Sequence, residues 1–282
     1  GTDYIARLLG NKLHELNGWS VVPENRPGAG TALGLAEAAR APAQGHDLVI
    51  GQTDNVTLIP LLMKVAYDPV QDLMPVALVA TTPMVLLVAD SSPYRTLPEV
   101  IAAAKDRPGH LSYGTSGTGG GVHIGMEMLQ RDAGFKMQHV PYKGSAPALA
   151  DLMGGHVDFA GSSISSAAGL LKAGKVRALA VTSPERNPSL PDVPTVAELG
   201  YPDYSVVTYY GVLTPTGTPA AVVERLNTDF NKLLARTDVR EALATQGLQA
   251  RPGSPQDFAD LIAADIAKAR DTIASAGIEI QQ

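Results

Sequence analysis

"MPVALVATTPMVLLVAD", residues 74–90, is the most apolar stretch of the chain. It falls short of an uninterrupted membrane span, because Thr81-Thr82-Pro83 divides it. The halves, 74–80 and 83–89, read as two strands, each nearly continuous in apolar side chains, as expected when a sheet is covered on both faces. Outward from it, "HDLVIGQT" (46–53), "HLSYGTS" (110–116), "MQHVPY" (137–142), "VDFAGSS" (157–163) and "VRALAVTS" (176–183) read as further strands.

Helical patterns fall between and after them. One starts at Thr96, with Glu99 three residues on as a capping box. Another follows Thr218-Pro219 and carries Val222, Val223, Leu226, Phe230, Leu233 and Leu234 at helical spacing. A third follows Ser254-Pro255 and runs to Gly277. Strands alternating with helices give an α/β class with mainly parallel strands. "PMVLLVADSSPYRTLPEV" (83–100) and "YSVVTYYGVLTPTGTP" (204–219) read as two crossings between lobes, near 84–95 and 204–218. Residues 1–88 with 216–282 then form lobe 1 and 89–215 form lobe 2, with a ligand cleft expected between them.

Composition narrows the function. Among 282 residues, 45% are hydrophobic and 18% charged, and the net charge is −6 without a basic block. Phosphate backbones and anionic membrane surfaces both need clustered Lys and Arg, so nucleic acid and direct membrane insertion are not expected. There is no cysteine, which removes disulfides, thiolate catalysis and Cys-based metal sites. No signal-peptide pattern opens the sequence. The six histidines show no metal-ligand spacing and read mostly as surface or strand-end residues. Neither a metal nor a cofactor is expected.

The strand ends carry small polar residues. "GQTDN" (51–55), "GTSGTGGG" (114–121), "YKGSAP" (142–147, with Ser145 as expected N-cap) and "GSSIS" (161–165) each follow a strand. In α/β sheets ligands bind there, where helix N-termini present free N–H groups to anions. Turn chemistry alone accounts for any one such loop. "GTSGTGGG" holds more glycine than a turn needs. It lacks the lysine of a phosphate loop and the final glycine of a nucleophile elbow. "GAGTALG" (28–34) imitates a dinucleotide fingerprint, but residues 23–27 separate it from Val21-Val22, where the fingerprint needs the strand to feed the turn directly. The residues offer binding chemistry more clearly than reaction chemistry. A serine hydrolase, a nucleotide-dependent enzyme and a ligand sensor signalling through its closed state stand as alternatives.

"VVPENRPGAGTALG" (21–34), "YDPVQDLMPVALVA" (67–80), "LSYGTSGTGGGVH" (111–123), "VPYKGSAPALADLMGGHVDF" (140–159), "GKVRALAVTSPERNPSLPDVPTVAELGYP" (174–202) and "YGVLTPTGTP" (210–219) resemble, in that order, the solute-binding receptors of tripartite tricarboxylate transporters, the Bug family of TctC type. The resemblance spans nearly the whole chain. It implies a periplasmic binding protein of type II-like, two-lobed fold. Such a protein closes on a small organic carboxylate, delivers it to membrane permease subunits, works as a monomer and catalyses nothing. Loops of both lobes hold one carboxylate, and the second lobe reads the rest of the ligand. Carried over by matching stretch, the holding residues are Ser116, Thr118, Gly119, Gly120 and Gly121 with His123 and Tyr142 on one lobe. On the other they are Thr2 and Asp3 with Thr53 and Asp54. The family's Gly-Gly turn and the strand before it do not appear ahead of Thr2, so a strand and part of the anion loop are expected upstream. Where the family often has Asp or Asn after "VDF", this chain has "AGSSIS" (160–165). Ser162 and Ser163 there suit a hydroxyl or second carboxylate better than an ammonium group.

Overall fold

The computed structural model describes residues 2–26 and 32–278. The order is α1 (Thr2–Asn17), α2 (Ala32–Ala38), β1 (Val49–Gln52), a π-helical turn (Asp54–Leu58), α3 (Ile59–Leu62), β2 (Leu73–Ala89), α4 (Leu97–Asp106), β3 (Ser112–Thr115), α5 (Gly121–Ala133), β4 (Gln138–Pro141) and α6 (Ser145–Met153). Then come β5 (Phe159–Ser163), α7 (Ile164–Lys172), β6 (Val176–Val181), β7 (Val207–Pro215), α8 (Ala220–Ala235), α9 (Thr237–Ala244), β8 (Gln249–Ala250) and α10 (Pro255–Ala276). Thr96 caps α4 in the expected box, its hydroxyl accepting from Glu99 N–H while Glu99 accepts from Thr96 N–H. α8 and α10 start and stop where their periodicity says. The fingerprint-like 28–34 lies largely outside the described residues.

The chain divides into two compact units. Unit 1 is the chain up to Thr81 with Thr208–Asp271, and unit 2 is Thr82–Val207 with Thr272–Gly277. The divisions expected at 88/89 and 215/216 lie further along the same two strands. Pairing explains the difference: β2 holds β8 up to Thr81, then takes β5 from Met84 and β6 from Val85.

β2 is one strand of 17 residues, not the two read from the sequence. Proline interrupts a strand because it has no N–H for the ladder. Pro83 sits where β2 changes partners, and the neighbouring donor is satisfied otherwise: Met84 N–H reaches Thr182 Oγ1 at 2.8 Å. The extended backbone therefore continues through it.

In unit 1, β1 pairs β7 antiparallel and β2 lies on β7's other side. Ile5, Leu9 and Leu13 of α1 share a core with Val223, Leu226, Phe230 and Leu233 of α8 and with Val76 and Val79 of β2. Gly51 and Gly211 stand opposite each other in the β1–β7 register. A Cβ on Gly211 would lie 2.3 Å from the Phe258 ring and 3.0 Å from Ala77 C=O; one on Gly51 would lie 2.4 Å from Leu213. The two strands are glycine there because the core has filled that space.

In unit 2 the order is β6-β2-β5-β3-β4. β2 runs antiparallel to β5 and β6, while β3 is parallel to β4 and β5. The parallel pairing expected of an α/β sheet is thus carried by β4-β3-β5. Leu149 and Leu152 of α6 and Ile164 and Ala167 of α7 cover one face, against Val85, Ala160 and Val181.

Candidate functional site

The parallel register of unit 2 fixes where its loops emerge. Tyr113 stands opposite both Phe159 and His139, and Thr115 opposite Pro141. β3, β4 and β5 therefore end on one edge of the sheet, and each feeds a helix there: α5 after residues 116–120, α6 after 142–144 and α7 from Ser163. That edge is where open parallel sheets bind ligands.

The loop after β3 is shaped by its glycines. Gly117 has φ +149° and Gly119 φ +77°, conformations that other residues adopt only with strain. Gly120 takes the N-cap position of α5 without a side-chain cap. Thr115 folds the loop's start: its hydroxyl donates to Gly117 C=O at 2.8 Å and accepts from Gly117 N–H at 3.3 Å. Gly119 N–H points inward to His123 Nδ1 at 3.0 Å. The N–H groups of Ser116, Thr118 and Gly120, and the hydroxyls of Ser116 and Thr118, have no hydrogen-bond partner among the described residues. The loop can thus offer several donors to one anion, beside the positive end of α5.

His123, expected from the resemblance among the holding residues, lies under this loop and is only 6% exposed. Its ring stacks on His139 of β4 with centroids 3.9 Å apart and planes 12° apart, and His139 stacks on Tyr113 at 5.0 Å. Ring partners on three different elements leave no trace in local sequence spacing. Below the stack, Glu127 Oε1 accepts from Tyr113 OH at 2.5 Å and Gln130 Nε2 at 2.7 Å, and stands 3.9 Å from His123 Nε2. Burial lowers the basicity of both imidazoles; Glu127 opposes the shift at His123, whereas His123 adds to it at His139, which falls to about 4. His123 turns Nδ1 to a backbone amide, not to Ser116, so this pair is no nucleophile and base.

The remaining residues of this unit divide. Tyr142 commits its hydroxyl to Asp151 Oδ2 at 2.7 Å; burial first, then Asp151, raises it to about 12. Ser163 is the N-cap of α7, accepting from Ser166 N–H. Ser145 does not cap α6: Gly144 holds that position at φ +116°. Ser162 differs from its neighbour. It is 1% exposed, and its hydroxyl finds no partner among the described residues. A buried hydroxyl without a partner is costly and asks for an explanation.

In unit 1, Thr2 and Asp3 open α1. Arg7, followed by Asn25, holds the Asp3 carboxylate below its usual range, and both donate to it. Thr53 leads into the π-helical turn and accepts Tyr209 N–H at 2.9 Å, and Asp54 is the turn's first residue. The turn is pinned from inside: Thr57 and Tyr209 share a buried hydroxyl pair at 2.7 Å, Asn55 Oδ1 accepts Gln52 N–H, and Tyr67 OH donates to Asn55 C=O. Asn55 lies in the "GQTDN" loop singled out from the sequence, but Thr57, Tyr67 and Tyr209 escaped that reading; π-helical turns have no sequence pattern of their own, though they often mark functional sites.

A cavity of about 2020 Å³ also opens in unit 1, beside Leu48, Val49 and Ile50 and between Leu9 and Leu13 of α1 and Leu226 and Phe230 of α8. Thr2 and Asp3 reach its lining. Its walls combine helix, strand and loop residues, and its volume exceeds that of ordinary small-ligand pockets, roughly 300–1,000 Å³. Arg26, Arg40 and Arg225 are also among its lining residues, and Arg26 and Arg225 are ion-paired with Glu24 and Glu37 and with Asp229.

A family model described as "Tripartite tricarboxylate transporter family receptor" matches residues 5–278. The chain belongs to that family. Among this receptor's relatives, a UPF0065 protein of Pseudomonas sp. (strain P51) is 42% identical over 260 residues, which cover 92% of this chain and 77% of that protein. A solved R. palustris protein with adipate superimposes with TM-score 0.81 at 35% identity, covering 98% of the receptor and 93% of that chain. MatC from Rhodopseudomonas palustris with bound malate gives TM-score 0.77 at 32% identity, covering 97% and 94%. A solved structure described as a periplasmic transporter gives TM-score 0.81 at 35% identity, covering 99% of this chain and 94% of that one, and the α/β class read from the sequence is the class of this fold. The enzyme alternatives give way to a receptor. No described helix is long and apolar enough to cross a membrane.

Proposed function

We propose that this receptor captures a small organic carboxylate in the periplasm and delivers it to the membrane permease subunits of a tripartite transporter, working as a monomer. The observation that carries the reading is the edge of unit 2, where the 116–120 loop offers partnerless N–H and hydroxyl donors at the start of α5. That two similar proteins were solved with adipate and malate supports a carboxylate as the anion. Thr53 and Asp54 of unit 1, with Thr2 and Asp3, belong to the same proposal through the family resemblance. Asp3 and Asp54 are acidic, so the donors there are backbone N–H and hydroxyl groups.

The energies suffice without a cationic side chain. A helix N-terminus contributes about 0.3–1 kcal/mol to an anion, and each charge-assisted hydrogen bond about 1.5–3 kcal/mol. Four or five such contributions reach micromolar affinity, about 8 kcal/mol. Ser162 and Ser163 bring no charge to the distal part of the ligand, which favours a hydroxyl or second carboxylate there over an ammonium group.

A thermal-shift screen tests this, because a ligand that binds only the native state raises the melting temperature. Di- and tricarboxylates, aromatic carboxylates, amino acids and nucleotides form the panel. A rise with one carboxylate class is expected. A rise with nucleotides alone overturns the carboxylate reading, and a rise with amino acids alone overturns the distal assignment.

A further inference from the structure

Both rings of the histidine stack beneath the glycine loop are wired to that loop. Gly119 N–H donates to His123 Nδ1 at 3.0 Å, so Nδ1 carries no proton and the ring's proton sits on Nε2. Thr115 spends its single hydroxyl proton on Gly117 C=O, so at 2.7 Å from His139 Nε2 it accepts, and His139 also carries its proton on Nε2. Each imidazole is therefore a neutral ring in a fixed tautomer, and each holds one glycine of the loop, His139 through Thr115.

The two rings respond differently to a second proton. On His139 the new proton goes to Nδ1 and leaves the Thr115 bond intact. On His123 it goes to the nitrogen that accepts from Gly119, and two donors then face each other across 3.0 Å. The groups facing His123 are Glu127 on its own helix, His139 on β4, and Tyr113 on β3, whose hydroxyl is turned to Glu127. Glu127 favours the cation from the Nε2 side; the stacked ring and burial disfavour it.

We infer that His123 is a positioning residue for the anion loop: as a neutral acceptor it holds Gly119 N–H inward and so sets the outward donors, and its protonation releases the loop and weakens ligand binding. The inference rests on the carboxylate reading of that loop. Burial keeps the ring neutral at neutral pH, so the loop is set there and loosens on acidification.

The test uses the full chain and two substitutions. His123→Asn places an amide oxygen at the position of Nδ1 and cannot be protonated; His123→Leu fills the space without an acceptor. Adipate is titrated calorimetrically at pH 7.5 and pH 5.0. Loss of one such bond corresponds to about a fivefold weakening. Wild type is expected to weaken at pH 5.0 by up to about that factor, in proportion to the fraction of His123 rings that the NMR titration shows protonated there, and beyond whatever His123→Asn shows, since both meet the same partly protonated ligand. His123→Leu is expected to be weak at both. In parallel, and without ligand, the Gly119 amide resonance is followed by NMR through the His123 ring titration.

A Gly119 resonance that ignores the ring titration overturns the inference, as does a His123→Leu protein with wild-type affinity. If adipate fails to bind at pH 7.5, adipate is removed as a ligand, while the resonance still decides whether His123 controls the loop.

Discussion

Unit 1 and unit 2 each place a candidate loop after a strand, and they shape it by different means. The unit 1 turn is held by side chains: Thr53 takes Tyr209 N–H, Thr57 takes the Tyr209 hydroxyl, and Tyr67 donates to Asn55 C=O. The unit 2 loop is held by backbone conformation at Gly117 and Gly119 and by two neutral imidazoles. Hydroxyls that hold a turn from inside are committed to the fold. A loop shaped by glycines leaves its own N–H groups to a ligand, at the cost of depending on the groups beneath it. The first arrangement is held by no group that titrates on mild acidification; the second rests on two imidazoles, whose basicity burial lowers.

The sharpest way to break the contrast is to attack the rigid side. Gly211→Ala forces a methyl into the Phe258 ring and toward Ala77 C=O. A ring and a backbone oxygen yield little, so a loss of about 3 kcal/mol, the upper end for overpacking, is expected in urea unfolding. Retained stability would show that the unit 1 core is slack.

The units should also differ in the sign of their pH dependence. Asp265 of unit 1 has its carboxyl raised to about 6 by burial, Lys268 opposing. Between its usual range near 4 and that value the folded state binds the extra proton, so unit 1 loses stability as pH rises from about 4 to 6. His139 of unit 2 is lowered to about 4. Between that value and the usual 6.5 the unfolded state binds the extra proton, so unit 2 gains stability over the same rise and loses it on acidification. Each proton contributes about 1.4 kcal/mol per pH unit within its window. Unfolding followed separately in the two units at pH 4.5 and 6 checks both signs, and parallel slopes would refute them.

Tyr209→Phe removes the partner of a buried Thr57 hydroxyl. A loss of about 1–2 kcal/mol is expected in unit 1, with unit 2 amide exchange unchanged. Ser162→Ala should have the smallest effect on stability. It removes a hydroxyl without a partner, so stability should stay level or rise by less than about 1 kcal/mol. If Ser162 meets the ligand, calorimetry should show affinity falling about fivefold. A destabilised protein with normal affinity would mean that the hydroxyl serves the fold.

Much of this was legible beforehand, and particular residues show why. The Thr96–Glu99 box and the apolar spacing of α8 are local patterns, and local structure obeyed them. Pro83 misled because its meaning depends on partners far along the chain: a proline at a change of partner costs no ladder bond. Ser162 and Ser163 are indistinguishable in sequence. Only the register, which puts Ser162 opposite Val85 and Ser163 opposite Met84, decides which is buried and which caps a helix. The last turn of α10 joins unit 2, where Arg131 reaches Thr272 Oγ1 at 3.3 Å, a contact that helical periodicity cannot announce. The histidine stack escaped for the same reason.

The placement of Trp19 has an optical consequence. It is the chain's single tryptophan, it packs against the unit 1 core, and Arg225 lies over its ring at 5.9 Å. Indole emission therefore reports on unit 1 alone, while far-UV dichroism sums the helices of both units. Denaturation curves from the two signals will coincide only if the units unfold as one cooperative body. Nature has thus labelled one half of this receptor, and no dye is needed to watch it melt apart from the other.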